Sequence, residues 1–236
     1  MFWIWSSRTF VWASRDLIPS APDKLENGLK ILGIESNKDR IDRLRRFVAE
    51  LELWNPKYGL LAGTEDVISR HVLDSLAALK YIEEFEPKNL ADIGSGAGFP
   101  GIPLAIWLED VNFTLIERSG RRAGFLRAAS LILGLKNISI VEMPVERLSR
   151  KRCFDVLTLR GFSAIDCRLL NVLRGLLGSN GRIVAYKGRE ESVKKELASL
   201  EGCIAWSEFR RLEIPGLDEE RHLLIIQPSS LAGREI

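Results

Sequence analysis

The spacing of apolar residues changes once along the chain, and the change predicts two regions of different structure. Between residues 23 and 82 the apolar positions recur every three or four residues, which is the period of an amphipathic helix. Two helices are predicted within 23–54 and a third over 65–82, separated by a loop at 54–63 where Asn-Pro and glycine interrupt the pattern. We expect these helices to form a cap over residues 21–85.

From residue 86 onward, short apolar runs alternate with helical patterns. Strands are predicted at 89–94, 111–117, 138–142, 154–161, 181–188, 206–214 and 221–227. Helices are predicted from Pro100 and over 121–135, 169–178 and 190–200. Alternation of this kind predicts a parallel sheet, and the last two strands should pair antiparallel because only a turn joins them. We therefore expect an α/β domain over 86–229 with a seven-stranded, mostly parallel Rossmann-like sheet, which by fold-level analogy is the sheet of S-adenosylmethionine (SAM) methyltransferases.

Composition adds little to this outline. The chain has 236 residues, 46% of them hydrophobic and 28% charged, with a net charge of +2, as in ordinary globular proteins. Residues 1–20 contain three tryptophans, but polar residues break the apolar run that an export signal or a membrane span needs. We expect a poorly ordered extension there, a short tail at 230–236, and a cytoplasmic monomer that contacts no membrane.

The cysteines and histidines predict no metal site. Cys153, Cys167 and Cys203 form no C-x-x-C pair, and the chain has only two histidines, so no zinc-binding spacing exists. We expect three reduced, mostly buried thiols.

The stretch LADIGSGAGFPGIPLAI at residues 90–106 carries the candidate chemistry. It contains G-x-G-x-x-G, the dinucleotide fingerprint, directly after a strand. However, Phe99 and Pro100 occupy the start of the following helix and make it a poor cradle for a pyrophosphate. Asp92 would repel a pyrophosphate but suits a cationic ligand such as SAM; alternatively, it is a carboxylate that caps the loop. Three glycines should adopt positive φ and let a ligand approach the backbone: Gly94, Gly96 and Gly98.

Glu117 ends the second predicted strand. An acid at this position can accept hydrogen bonds from the two hydroxyls of an adenosine ribose. Because both SAM and a dinucleotide carry adenosine, Glu117 indicates the nucleoside and does not distinguish the two cofactors. The alternative is a surface ion pair with Arg118 or Arg121.

Basic residues cluster at several places and leave two interpretations open. The second helix carries Arg40, Arg43, Arg45 and Arg46, and further clusters lie at 118–127, 150–152 and 210–221. Each cluster is either a solvated face or a set of contacts to RNA phosphates. Phe99 or Phe162 could stack an unstacked base, and either could belong to the core. His71 is expected to be packed or capping, His222 an edge or core residue, and Asp74 a helical i,i+4 partner of Arg70.

The order of motifs resembles one protein family. LELWNPKYGLL, SRHVLDSLAAL, ADIGSGAGFPGIPLAI, LIERSGRRAGFLR, LRGFSAI, AYKG and DEERHLLII occur in the order found in the bacterial 16S ribosomal RNA guanine-N7 methyltransferases, the RsmG or GidB family. The resemblance covers about residues 25–227. It implies transfer of a methyl group from SAM to N7 of guanine 527 in the 16S rRNA of the small subunit.

The same resemblance implies roles for individual residues. It places Gly94 and Phe99 against the cofactor, Val145 and Glu146 against the adenine, and Arg160 in the active site. Two further basic residues, Lys187 and Arg221, are expected to serve RNA binding or active-site architecture. The chain departs from the family pattern at Pro144, where an arginine is usual, and in the YGLLAG loop, and it has Gly161 after Arg160 where alanine is usual.

The expected chemistry needs no acid–base residue. Guanine N7 has an in-plane lone pair and no proton, so the site must align N7 with the methyl group and the sulfur. A cation touching N7 would oppose the reaction, which leaves Arg160 to contact a phosphate, guanine O6 or the cofactor carboxylate. Two alternatives stay open from the residues: an NAD(P)-dependent oxidoreductase and a non-catalytic RNA-binding protein of the same fold.

Overall fold

The computed structural model describes residues 23–62, 66–149, 153–161 and 164–229. The predicted extension over 1–20 and the tail over 230–236 therefore lie outside the described residues, as does Phe162. Among the residues described, no helix is long and apolar enough to cross a membrane.

Seven strands form one sheet, and the predicted fold class is confirmed. The strands are β1 (Asn89–Ile93), β2 (Asn112–Ile116), β3 (Ile138–Val141), β4 (Phe154–Arg160), β5 (Leu177–Lys187), β6 (Ile204–Leu212) and β7 (Arg221–Pro228). They lie in the order β3-β2-β1-β4-β5-β7-β6, and β7 pairs antiparallel with both β5 and β6. The strand order reverses between β1 and β4, and open α/β sheets bind ligands at the carboxyl ends of their strands beside such a reversal.

The helices cover the sheet and extend the cap. They are α1 (Lys24–Ile31), α2 (Lys38–Tyr58), α3 (Asp74–Leu76), α4 (Leu79–Glu83), α5 (Gly101–Trp107), α6 (Gly120–Ile132), α7 (Cys167–Leu176) and α8 (Glu190–Ser199). All seven residues of α5 are buried, which fits a helix that is apolar on every side. Buried residues of the cap and of the sheet belong to one continuous core, so the boundary at residues 85–86 stays a prediction.

The cap is fastened to the sheet layer by rings and by ion pairs. Phe47 of α2 is fully buried, with its ring centroid 5.1 Å from that of Phe99 and 6.3 Å from that of Phe125. On the outer face of α2, Arg43 lies 2.9 Å from Asp39 and 3.6 Å from Glu109. Three arginines of α2 that were candidates for phosphate contacts are thus engaged by carboxylates within the chain: Arg40, Arg43 and Arg45.

The predicted loop at 54–63 was wrong in its first half, because α2 continues to Tyr58. Pro56 lies inside the last turn of α2 and has no N–H to donate, so the helix continues with one hydrogen bond missing there. The rings of Trp54 and Tyr58 stack at 5.0 Å one turn apart, and Gly59 ends the helix with a φ of 58°.

The predicted single helix over 65–82 was also wrong. A π-helical turn spans Ile68–Leu73 and is followed by the short helices α3 and α4. A π-helical turn holds more residues than an α-helical turn, so it changes which side chains share a face. This turn places residues of the cap beside the carboxyl ends of the strands.

Two of the three cysteines are bonded, so the expectation of three reduced thiols was wrong. Cys167, the first residue of α7, and Cys203, in the turn after α8, form a disulfide with their Cα atoms 6.2 Å apart. The two lie 36 positions apart in the sequence, and cysteine spacing alone does not reveal a pairing that tertiary structure creates. Cys153 is half-buried.

Candidate functional site

A cavity of about 910 Å³ opens at the carboxyl ends of the parallel strands. Its walls come from the loop after β1, the end of β2, the turn after β3, the ends of β4 and β5, and the π-helical turn of the cap. Of the residues predicted to form the site, all except Asp92 and Gly98 line this cavity. The structure therefore brings these predicted residues together around one cavity, and it places some of their side chains differently from the prediction.

The glycine loop adopts the predicted conformation. Gly94, Gly96 and Gly98 have φ values of 69°, 57° and 92°, which confirms the expectation of positive φ. A Cβ on Gly96 would meet only the Gly94 carbonyl oxygen, at 3.7 Å, so the backbone here is open to a ligand. A Cβ on Gly98 would come within 2.7 Å of Ile102 in α5, so Gly98 permits close packing between the loop and the helix.

Asp92 lies beneath the loop and does not face the cavity. Its side chain is fully buried, and it accepts hydrogen bonds from the Thr158 hydroxyl at 2.8 Å and from the Gly101 N–H at 3.2 Å. Burial raises the pKa of this carboxyl to about 6, and the hydrogen bond from Thr158 limits the rise. The expectation that Asp92 contacts a cationic ligand is therefore corrected: the structure shows the alternative, a carboxylate that caps the loop.

The start of α5 offers no cradle for a pyrophosphate. The Gly101 N–H donates to Asp92, and the Ile102 N–H donates to the Gly98 carbonyl oxygen at 2.8 Å. Pro100 and Pro103 have no N–H to offer. Because a helix binds phosphate through unpaired N–H groups at its first turn, the dinucleotide interpretation loses its physical basis here.

Glu117 binds the glycine loop from the neighbouring strand. Its carboxylate accepts from the Gly96 N–H at 2.9 Å and from the Ser119 N–H at 2.8 Å. The side chain is 4% exposed and lines the cavity, which does not fit the alternative of a surface ion pair with Arg118 or Arg121. A carboxylate has about four lone-pair directions, so acceptor capacity remains after these two bonds.

Arg160 is held by residues of the cap. Its Nη1 donates to Asp74 Oδ2 at 3.0 Å and to the Arg70 carbonyl oxygen at 3.2 Å, and its Nη2 lies 2.8 Å from His71 Nδ1. The guanidinium carbon lies 5.0 Å from the ring centroid of Phe99, within the range of a cation–π contact. The histidine predicted to be merely packed or capping thus contacts the arginine expected in the active site.

Asp74 joins two of the predicted basic residues. Its carboxylate is 3% exposed and bonds Arg160 through Oδ2, while Oδ1 lies 3.4 Å from Arg221 Nε. Burial raises the pKa of Asp74, and the two guanidiniums oppose that rise. The predicted pair with Arg70 was wrong: Arg70 bonds Glu219 instead, because the π-helical turn removes the α-helical i,i+4 alignment.

Lys187 forms a buried ion pair in the wall of the cavity. Its Nζ lies 2.8 Å from Glu196 Oε1, with exposed fractions of 10% and 5% for the two side chains. The same oxygen accepts from the Ile165 N–H at 2.8 Å, so Glu196 links α8 to the segment before α7. Sequence reasoning missed Glu196 and named Asp74 only as a helical partner of Arg70; an acid on a largely apolar helix face was the signal available for both.

The remaining predicted residues have clear places. Phe99 is 4% exposed and stacks on His71 with centroids 5.0 Å apart, so it belongs to the core. Val145 is buried and Glu146 exposed, both in a 3-10 turn at the cavity wall. His222 is 2% exposed and its Nδ1 lies 2.6 Å from the Gly188 carbonyl oxygen, which confirms a core histidine.

Metal ligation finds no support among the described residues. Over residues 23–62, 66–149, 153–161 and 164–229, no group of three or more histidine, cysteine, aspartate or glutamate side chains is placed to hold a metal ion.

The comparison with solved structures concerns the fold. A predicted O-methyltransferase, protein Atu636 from Agrobacterium tumefaciens, superposes with a TM-score of 0.53 at 23% identity, over 67% of this chain and 80% of that one. The tRNA (m1A58) methyltransferase TrmI from Aquifex aeolicus gives 0.54 at 15% identity, over 67% and 69%. At such identities the likeness shows a shared fold and no more.

The comparison with sequences is closer. Ribosomal RNA small subunit methyltransferase G from Hahella chejuensis is 34% identical over 219 residues, which cover 92% of this chain and 98% of the relative. The protein of the same description from Borrelia turicatae is 36% identical over 208 residues, covering 85% and 97%. The family model GidB, described as rRNA small subunit methyltransferase G, matches residues 40–224. The chain therefore belongs to the rRNA small subunit methyltransferase G family.

Proposed function

We propose that the protein transfers a methyl group from SAM to N7 of guanine 527 in the 16S rRNA of the small ribosomal subunit. Family membership over residues 40–224 supports the reaction class and the RNA substrate. The observation that carries the assignment is the cavity at the strand ends, lined by the residues that the family pattern gives to the cofactor.

The groups that line the cavity fit SAM. Glu117 keeps acceptor capacity for the hydroxyls of a ribose, and the open backbone at Gly96 leaves room beside it. Val145 and Glu146 line the same cavity, Val145 as an apolar surface for an adenine ring and Glu146 as an acceptor. A volume of about 910 Å³ accommodates a nucleoside cofactor together with a base. When bound, SAM supplies an electrophilic methyl group on a sulfonium.

The chain's own residues position the reactants and transfer no proton. Guanine N7 presents a lone pair without deprotonation, so the requirement is alignment. Nη1 and Nη2 of Arg160 donate hydrogen bonds to residues of the cap, and the side chain is 16% exposed at the cavity. We assign its remaining donors to a phosphate, to guanine O6 or to the cofactor carboxylate, because a cation at N7 would disfavour the cationic product.

The rim of the cavity is basic and suits RNA phosphates. Among the described residues, four arginines line it besides those already engaged with Asp74: Arg70, Arg118, Arg122 and Arg189. Long-range attraction to the phosphate backbone would raise the rate of encounter and depend on salt. We further propose that the protein acts in the cytoplasm as a monomer. Light scattering after gel filtration measures its molar mass and tests the monomer.

Methylation of small-subunit particles tests the function directly. Particles from cells that lack this gene should accept a labelled methyl group from SAM, and reduction followed by strand cleavage should map N7-methylguanine to position 527. Full methylation at that position in cells without the gene would refute the assignment. Absence of turnover with intact SAM binding would instead favour the non-catalytic RNA-binding alternative, for which Pro144 at the cavity wall is the motivating departure.

Calorimetry separates the cofactors. SAM should bind, whereas NADH should not, because the first N–H groups of α5 are already paired. Tight NADH binding without SAM binding would reverse this choice.

A further inference from the structure

The chemistry of Arg160 fixes the state of the histidine beside it. An arginine side chain has five N–H donors and no acceptor, so the 2.8 Å contact between Arg160 Nη2 and His71 Nδ1 requires Nδ1 to accept. His71 is therefore neutral, with its proton on Nε2. Burial, together with the positive charge of Arg160, lowers the pKa of His71 to about 4, in agreement with a neutral ring.

The contacts of Arg160 form a bracket with three acceptors. His71, Asp74 and the Arg70 carbonyl oxygen all belong to one segment of the cap, which begins in the π-helical turn. The ring of His71 also stacks on Phe99, against which the guanidinium lies. Asp74 and the Arg70 carbonyl oxygen accept hydrogen bonds from Nη1, whereas His71 accepts from Nη2. The contact with His71 therefore fixes the rotation of the guanidinium about Nη1.

We propose that His71 is a positioning residue for methyl transfer: its neutral Nδ1 orients Arg160 so that the remaining N–H groups point into the cavity. This inference rests on the proposed function and names the residue that aligns its active-site arginine. His71 donates no proton and contacts no reacting atom; it acts through Arg160 alone. Loss of the Nδ1 acceptor should therefore slow the chemical step while leaving SAM binding nearly intact.

The chain contains a matched pair of histidines for the first measurement. His222 Nδ1 faces the Gly188 carbonyl oxygen, which can only accept, so His222 must carry its proton on Nδ1. Nitrogen NMR of the histidine rings in the full-length protein at pH 7 should show His71 protonated on Nε2 and bare at Nδ1, and His222 protonated on Nδ1. Arg160→Met should shift the His71 Nδ1 resonance and leave that of His222 in place. A His71 ring protonated on Nδ1, or a resonance insensitive to Arg160, would overturn the proposal whatever the protein's activity.

Kinetics with two substitutions separate the acceptor from the ring. His71→Phe keeps a ring for stacking on Phe99 but removes the acceptor, and His71→Asn keeps an acceptor oxygen near the position of Nδ1 but removes the ring. With small-subunit particles as substrate, His71→Phe should lower kcat about tenfold, with the Kd for SAM changed less than about threefold. His71→Asn should recover most of kcat. The reverse ranking of the two variants would show that stacking, not hydrogen bonding, is what His71 provides.

A double-mutant cycle tests the route through Arg160. In an Arg160→Lys background, His71→Phe should lower kcat less than about twofold, because the group it positions is gone. His222→Phe, the same change at the second histidine, should be additive with Arg160→Lys. Additive losses for His71 would overturn the proposal. Wild-type protein without turnover on the particles would refute the proposed function instead, and the NMR result would still decide the inference.

Discussion

Two substitutions at Asp92 should separate a loop-capping carboxylate from a ligand-binding one. Asp92→Ala leaves the Thr158 hydroxyl and the Gly101 N–H buried without a partner. Each unpaired buried group costs about 1–3 kcal/mol, and loss of the buried charge offsets part of that, so we expect a net destabilisation of about 3 kcal/mol. For a chain of this size the melting temperature should fall by roughly 6–12 °C.

Asp92→Asn should behave differently. The amide oxygen can accept from the Gly101 N–H while the amide nitrogen donates to the Thr158 oxygen, so both buried groups keep partners. Stability at neutral pH should change by less than about 1 kcal/mol or increase, because the variant lacks the buried carboxylate, whose pKa is raised to about 6. The Kd for SAM, measured by calorimetry, should stay within about threefold of wild type for Asn and rise at least tenfold for Ala.

The pH dependence supplies an independent check. The pKa of Asp92 rises from its ordinary value of 3.8 to about 6 on folding, so the native state binds more protons between these values. The stability that Asp92 contributes is therefore complete below pH 3.8 and is lost as the pH rises through 6, about 3 kcal/mol in all. Urea unfolding should show Asp92→Asn gaining on wild type across this window. If the Asn variant lost SAM binding as the Ala variant does, with an unchanged melting temperature, the carboxylate charge would act on the ligand and our role for Asp92 would be wrong.

Three further outcomes follow from other buried groups. On folding, the pKa of His71 falls from 6.5 to about 4, so the contribution of its neutral ring to stability is complete above pH 6.5 and is lost as the pH falls toward 4. Solvent screening limits this contribution to roughly 2 kcal/mol. Urea unfolding of the wild type and of His71→Asn across this pH range measures it. Glu196→Gln should destabilise the protein by about 3 kcal/mol, because it leaves the ammonium group of Lys187 buried without its carboxylate partner. The double variant with Lys187→Met removes that charge as well, so equal melting temperatures for the single and double variants would contradict this reason. Reducing the Cys167–Cys203 bond, which spans 36 positions, should cost about 2–4 kcal/mol, and dithiothreitol should leave a Cys167→Ser variant unaffected.

The sheet was predictable because its signal is periodic. Seven runs at the spacing of strands, with helical patterns in four of the links between them, admit few arrangements, and the short link before β7 requires an antiparallel strand. The ends of elements were less predictable: Pro56 suggested a loop, yet α2 continues through it to Tyr58. Local residue preferences are too weak to set the end of a helix where tertiary packing sets it. At the end of α2, the ring of Trp54 packs on Phe125.

The sequence located the cavity but not the direction of its side chains. Four of the five residues of β1 are buried, on both faces of the sheet, so alternation could not tell whether Asp92 faces the ligand or the helix. Asp74 was misassigned for a related reason, since a π-helical turn leaves no mark in the sequence that we recognised and it moves every later side chain around the axis. The disulfide depends on the path of the chain between α7 and α8, which no spacing rule contains.

The cap forms one wall of the cavity and is joined to the sheet there. Arg160 ends β4 and Arg221 begins β7, and these two strands do not pair with each other in the sheet. Their guanidiniums nevertheless meet on the single carboxylate of Asp74, which the cap supplies. Two partly buried cations share one buried anion here, and removal of that anion leaves both uncompensated, which is costly. Opening the cap would expose this cost directly, so we expect the substrate base to enter from the basic rim while the cap stays closed on the sheet.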